Sequence, residues 1–375
     1  MRDSEASLQG VRLSVESLRS AVARVSEEIL EPYHALRAKT CQLSNLHETA
    51  DLLRHVTQRL KLTGKLRQLL AAKAGGGSLD LAKAAKFLTD SKAVGEEANL
   101  SGIEVLAADT EFLAAAEKQV AGEAHAVLVK GMGSLSQAEV GSALQVYYNL
   151  NQLQRAVGDL LSQYNLALAK SLGTALDAKK ISSAVRASSA SPSPGSPSPA
   201  GGPGGSAMAD ELWSRVSQFC NELHGSAVAV WHLQRVLAKK RDPLTHECFE
   251  DLVVQEGGPS LIERFWNDVT TLLRSRLSEA AGLSRTSTAG RDFVREALAQ
   301  GFPRLASQLE STVAKLLRDT DIKGTFPAIT SEERSALLAA TSPFQDAYLS
   351  NATRRLTEAV TATFPGGTSR SVPSA

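Results

Sequence analysis

Leu8, Val11, Val15, Leu18, Val22, Val25 and Ile29 recur at alternating steps of three and four. That alternation gathers them on one face of an α-helix, as the a and d positions of a heptad repeat. With Leu8, Val15, Val22 and Ile29 at a, and Val11, Leu18 and Val25 at d, the register runs on. It takes in Leu36, Leu43 and Ala50 at a and Leu46 and Leu53 at d, and is interrupted at Pro32 and Lys39. Leu60, Leu62, Leu66, Leu69 and Leu70 keep the segment apolar up to the glycines at 75–77. Burying each Leu or Val is worth about 1.5–3 kcal/mol, so the stripe demands a second helix, from this chain or another. Val15, Leu18, Val22, Val25, Ile29, Leu46 and Leu53 form the candidate seam for that partner helix.

The pattern beyond it predicts helices throughout. The first unit, about 4–73, is expected to kink or break at Pro32, which lacks a backbone donor. AGGGS at 74–78 ends it, and Ser78 is expected to cap a short helix, LDLAKAAKFLTD. Ile103, Leu106, Thr110 and Leu113 then share a face. After GMGS at 131–134, Ser136 and Glu139 predict a capping box. The helix they open carries Val140, Leu144, Tyr147, Tyr148, Leu153, Val157, Leu160, Leu161, Tyr164, Leu168 and Leu172. Residues 182–209 hold five prolines and five glycines among small polar residues, and this composition cannot build a core. Beyond the tract, Asp210 is expected to cap a helix that ends in AKKRD before Pro243, and Pro259 opens another with Ile262, Phe265, Trp266, Val269, Leu272, Leu273 and Leu277 inward. Helices from about 292 to 318 and 331 to 364 are expected to bend at Gly301–Pro303 and break at Ser342–Pro343. The expected class is all-α: N-terminal coiled-coil helices followed by elongated antiparallel bundles. The division expected is an assembly segment at 1–75, a bundle at 76–181, a flexible linker at 182–209, a rod-like bundle at 210–364 and a tail at 365–375.

Composition narrows the function. A net charge of +1 removes the electrostatic case for a nucleic-acid binder. Cys41, Cys220 and Cys248 are odd in number and far apart, which suits reduced thiols in a cytosolic setting and neither a disulfide frame nor a zinc site. The polar opening MRDSEASLQG is not a signal peptide, and no apolar run reaches the ~18 residues of a bilayer span. Any membrane association is expected to be peripheral.

Catalytic and cofactor motifs do not emerge. GMGSLS at 131–136 lacks the third glycine of a dinucleotide loop and follows a helix. His246, Glu247 and Cys248, taken as neighbours on one helix, point too far apart to converge on a metal. No catalytic residue, cofactor or metal site is expected. Arg54, Arg59, Lys61, Lys65, Arg67 and Lys73 lie in a stretch, 52–79, without an acidic residue. It is either a surface for acidic lipid or an acidic partner, or a solvated face favoured toward a helix C-terminus; the second reading is the simpler. Lys239, Lys240 and Arg241 have the same explanation, and Trp213, Trp231 and Trp266 sit at core or seam positions.

A resemblance extends along the chain. EPYHALRAKTCQLSNLHETADLLRHVTQRLKLTGKL at 31–66, LSGIEVLAADTEFL at 100–113, VGSALQVYYNLNQL at 140–153 and LQRVLAKKRDPLTHECFEDLV at 233–253 occur in order, with Phe265–Trp266 after them. In these blocks, spanning about 8–317, the chain resembles subunit 5 of the conserved oligomeric Golgi complex. The resemblance implies a non-enzymatic helical rod of a vesicle-tethering assembly, peripheral on the cytosolic face of Golgi membranes and acting in retrograde intra-Golgi transport. It implies assembly with subunits 6, 7 and 8 through N-terminal helices, and it brings SNAREs, Rab GTPases and golgins into view as further contacts. Members of that family are longer, so helical segments beyond about residue 364 are expected to be missing here. The rival readings are a self-associating cytosolic coiled-coil scaffold and a membrane-surface helical protein.

Overall fold

The computed structural model describes residues 2–74, 80–98, 102–189, 203–243, 245–254, 258–282, 289–322 and 325–363. The expected turn at 75–78 with its Ser78 cap, the centre of the Pro/Gly tract, most of the loop at 284–290 and the expected tail lie outside the described residues. Within them the regular structure is helical: α1 (Arg2–Ala74), α2 (Leu81–Glu97), α3 (Ala107–Gly133), α4 (Gln137–Asn149), α5 (Leu153–Ala175), α6 (Ala178–Ser189), α7 (Pro203–Lys239), α8 (Phe249–Val253), α9 (Leu261–Ala280), α10 (Ala289–Gln300), α11 (Phe302–Asp319), α12 (Ser331–Ala339) and α13 (Ser342–Thr363). The all-α expectation holds.

Local chemistry explains most boundaries, and several differ from the sequence expectation. Pro32 lies inside α1 without ending it. The acceptor it fails to reach is the carbonyl of Glu28, which is exposed, so water can serve that oxygen, and helix formers on both sides carry the helix past. Asp80 caps α2 by accepting from the Lys83 N–H at 3.1 Å. Ser136 accepts from the Glu139 N–H at 3.4 Å, but the capping box is not closed: Glu139 turns its carboxylate to Lys130 at 2.9 Å. Full capping boxes stand instead at Ser260–Glu263 and Thr330–Glu333. Asp210 is interior to α7 and caps nothing, because the helix already begins at Pro203. The single helix expected after Ser136 is divided into α4 and α5 by Asn151, whose φ of 55° suits an asparagine better than most residues.

The contacts divide the chain into two compact units, Met1–Val120 and Ala121–Ala375. In the first, the last turns of α1 pack on α2 around Leu66, Ala84, Ala85, Leu88 and Leu113. In the second, α7 is central and touches α4, α5, α6, α8, α9 and α11. Polar ties fix this packing. Buried Gln234 of α7 donates to Glu250 at 3.2 Å and accepts from the Ile262 N–H at 3.0 Å. Arg215 holds Glu211 and donates to the carbonyls of Thr174 and Lys180.

The division expected from composition therefore needs correcting. Helices fill both ends of the tract 182–209, and α5 and α6 before it share a core with α7 after it. The tract joins helices of one unit instead of separating two. α2, expected in a bundle at 76–181, packs on α1. Proline and glycine density shows where no core can form, but it is silent on which apolar stripes meet across the gap.

Candidate partner-helix site

α1 has 73 residues and is about 110 Å long at 1.5 Å per residue. Its two parts differ sharply. From His55 onward it has a buried face made by Arg59, Thr63 and Leu66, directed at the rest of its unit. Every described side chain from Ser7 to Arg54 is exposed. All seven seam residues fall in this free part. Val25 is the least exposed at 47% and Leu18 the most at 69%, with Val15, Val22, Ile29, Leu46 and Leu53 between them. Leu8, Val11, Leu36 and Leu43 extend the same row, each more than half exposed.

A row of this length is uncommon on a finished surface, where apolar side chains are scattered singly. It does not continue the stripe that docks on α2. At 100° per residue Arg59, Thr63 and Leu66 lie roughly 80° or more from Leu46 and Leu53. The free row and the internal contact are two different faces of one helix.

The structure separates the basic residues at 54–73. Arg54 pairs with Asp51 at 2.7 Å. Arg59 is buried, donates to Thr110 at 3.1 Å and lies against Gly95, where any Cβ would crowd its guanidinium. Arg67 meets the buried Asp109 carboxylate at 2.6 Å and covers the Phe112 ring; Lys65 stands over Phe87. Half of the run thus serves packing. His246, Glu247 and Cys248 are not on a helix: they sit in the connection between α7 and α8, with His246 at φ 58°. The Cys248 thiol faces the carbonyls of Leu237 and Ala238, and Glu247 accepts from the Tyr148 hydroxyl at 3.2 Å. Among the described residues no group of three metal-binding side chains converges, and no helix is long and apolar enough to cross a membrane.

Sequence reasoning grouped cations by their nearness along the chain and overlooked those beside the seam. Counting by heptad finds them. The e positions, which border a on the helix surface, hold Arg12, Arg19, His47, Arg54 and Lys61, all exposed.

Comparison with known proteins bears on what such a helix belongs to. Residues 100–313 match the family described as conserved oligomeric Golgi complex subunit 5, C-terminal, and residues 1–66 match the corresponding N-terminal family. The chain belongs to this subunit 5 family. It is 38% identical over 378 residues to conserved oligomeric Golgi complex subunit 5 of Arabidopsis thaliana, covering 98% of this chain and 44% of that protein. The mouse protein of the same name is 31% identical over 396 residues, covering 97% and 46%. The chain therefore spans a little under half the length of these relatives. One chain of the crystal structure of the Cog5–Cog7 complex from Kluyveromyces lactis superposes with a TM-score of 0.53 at 16% identity, over 84% of this chain and 99% of that one. At that identity the likeness concerns the fold.

Proposed function

We propose that this chain is a non-enzymatic subunit of a Golgi vesicle-tethering complex, and that it joins the complex through the free part of α1. The carrying observation is the row from Leu8 to Leu53, apolar at heptad spacing and exposed along a helix with no partner for it among the described residues. Family membership supplies the setting: a Golgi complex of several subunits, with a structural relative crystallised as a Cog5–Cog7 pair. A subunit of the type of subunit 7 is accordingly the first partner, with subunits 6 and 8 alongside it. In this reading residues 1–75 pair, and the helices from α2 onward serve as spacer and docking surface. The complex sits peripherally on the cytosolic face of Golgi membranes and works in retrograde intra-Golgi transport. Contacts with SNAREs, Rab GTPases and golgins belong to the same proposal and rest on the family resemblance alone.

Leu18→Asp tests it. In the free chain Leu18 is 69% exposed, so the change costs the fold little. In a dry seam it removes a Leu contact and buries a carboxylate, together several kcal/mol and about a hundredfold or more in affinity. Co-expression with subunit 7 from the same source, with capture on a tag of this chain, is expected to recover both proteins in equal amount. Recovery should be lost with Leu18→Asp. Undiminished capture by that variant would refute the seam.

A further inference from the structure

The two flanks of the seam are chemically unequal. Between residues 12 and 61 the flank beside a carries Arg12, Arg19, His47, Arg54 and Lys61 and no acid, with Arg12 and Arg54 reaching to Glu16 and Asp51 on the outer side of the same helix. The flank beside d, at 14, 21, 28, 35, 42 and 49, is made of small or neutral side chains with Glu28 as its single charge. Two shallow open faces reflect this. One, near the start of α1, is lined by Ser7, Gly10, Ser14 and the seam residues Val11, Val15 and Leu18. The other, near residue 54, joins Leu53 to Arg54, Lys61 and Lys65.

We infer that the seam accepts a helix of a different chain, apolar at its own a and d positions and acidic along the flank that meets Arg12, Arg19, Arg54 and Lys61. This rests on the assembly reading above and adds the chemistry of the partner. In a parallel pair the d-side flank of one helix faces the a-side flank of the other. Two copies of this chain would set those cations against serine, alanine, glutamine and threonine, with no complementary charge. In an antiparallel pair, like flanks meet, and cation would face cation. Either arrangement forgoes what an acidic flank supplies, so self-pairing is disfavoured.

A membrane surface fits less well. A helix lying in a lipid interface has a wide apolar face with cations along both of its edges. Here the stripe is the narrow two-in-seven seam, and its cations line one edge. The opposite flank, small or neutral but for Glu28, lets a partner backbone approach closely.

The test uses the full chain and two labelled synthetic helices, both with leucine at a and d. One has glutamate at every e and g position and the other lysine, so that either orientation is covered. Fluorescence anisotropy at low salt is expected to show the glutamate helix binding at least about tenfold more tightly, since four rim pairs add modest increments. The preference should fade at high salt. It should reverse in the chain carrying Arg12→Glu, Arg19→Glu, Arg54→Glu and Lys61→Glu, and Leu18→Asp should abolish binding of both helices. Equal binding of the two helices, or none by either, overturns the inference. So does uptake by phosphatidylserine vesicles that outcompetes the glutamate helix. Subunit 7 capture lost with Leu18→Asp, but with no acidic preference, counts against this inference alone. The preference without capture counts against the assembly reading alone.

Discussion

Two tryptophans hold an irregular stretch of chain against the second unit, and removing one indole nitrogen should show what that anchorage is worth. Trp266 of α9 is 2% exposed and its Nε1–H donates to the Ala328 carbonyl at 2.7 Å. Trp231 of α7 donates to the carbonyl of Phe326 at 3.0 Å, and the two rings meet edge to face. Ala328 and Ile329 are themselves buried, so residues 326–329 are pinned at two carbonyls just before the cap of α12. Trp266→Phe leaves a buried carbonyl unpaired, at about 1–3 kcal/mol. It also leaves the volume of the lost ring unfilled, so a total near ~3 kcal/mol is expected. Trp231→Phe should cost less, about 1–2 kcal/mol, because its bond is only part-buried. The two losses should not add: once one anchor goes, the segment loosens and the other has less to hold, giving a coupling of about 1 kcal/mol. Trp213→Phe is the control, since that ring packs under the Arg304 guanidinium elsewhere in the unit. The assay is denaturant unfolding followed by far-ultraviolet circular dichroism, with amide exchange at 326–330 as the local readout. If Trp266→Phe shifts stability by under about 0.5 kcal/mol, or leaves exchange at 326–330 no faster than the control does, the anchorage argument is wrong.

Three further outcomes are expected. Pro32→Ala restores an amide donor inside α1 and should stabilise that stretch by up to about 3 kcal/mol, seen as slower exchange near residues 28–36 with the bundle's unfolding midpoint unchanged. A Cβ added at Gly301 would overlap Trp213 Cζ2 and crowd the Ala297 carbonyl, so Gly301→Ala should destabilise the second unit by about 1–3 kcal/mol in the same unfolding assay. Burial, aided by Arg235 beside its Nδ1, lowers the pKa of His232 below its ordinary value of 6.5. The folded state thus binds its proton less readily than the unfolded one. Its penalty is absent above 6.5 and grows as pH falls through that value toward the lowered pKa. His232→Leu should flatten the loss of melting temperature on acidification, and an unchanged slope would count against it.

Periodicity disclosed the helices because each buries one face: of Ile262, Phe265, Trp266, Val269, Leu272, Leu273 and Leu277, all but the half-buried Leu272 are buried in α9. It also picks out the apolar row of α1, whose seven proposed seam residues are all exposed. Tertiary pairing was not legible. No local signal tells α2 to pack on α1, or α5 to meet α7 across a proline-rich gap, since any apolar stripe of suitable width can serve another. Caps were legible only in part: Glu139 sits at capping-box spacing, but Lys130 competes for its carboxylate from the preceding helix. The break expected at Pro32 does not occur, because the proline's cost depends on whether the stranded carbonyl has water to turn to, which is a property of the surroundings.

The continuity of α1 has a geometric consequence. A seam repeating every 3.5 residues on a helix of 3.6 residues per turn drifts by about 20° per heptad. From Leu8 to Leu53, about six heptads, the apolar row on a straight α1 swings through roughly a third of a turn. Its two ends, parted by Pro32 and Lys39, then face different directions. A single companion helix must wrap left-handedly around α1 to stay in contact, whereas two separate companions can each dock on one end without obstructing the other. A helix of this kind can act as a branching point, from which the axes of several chains diverge.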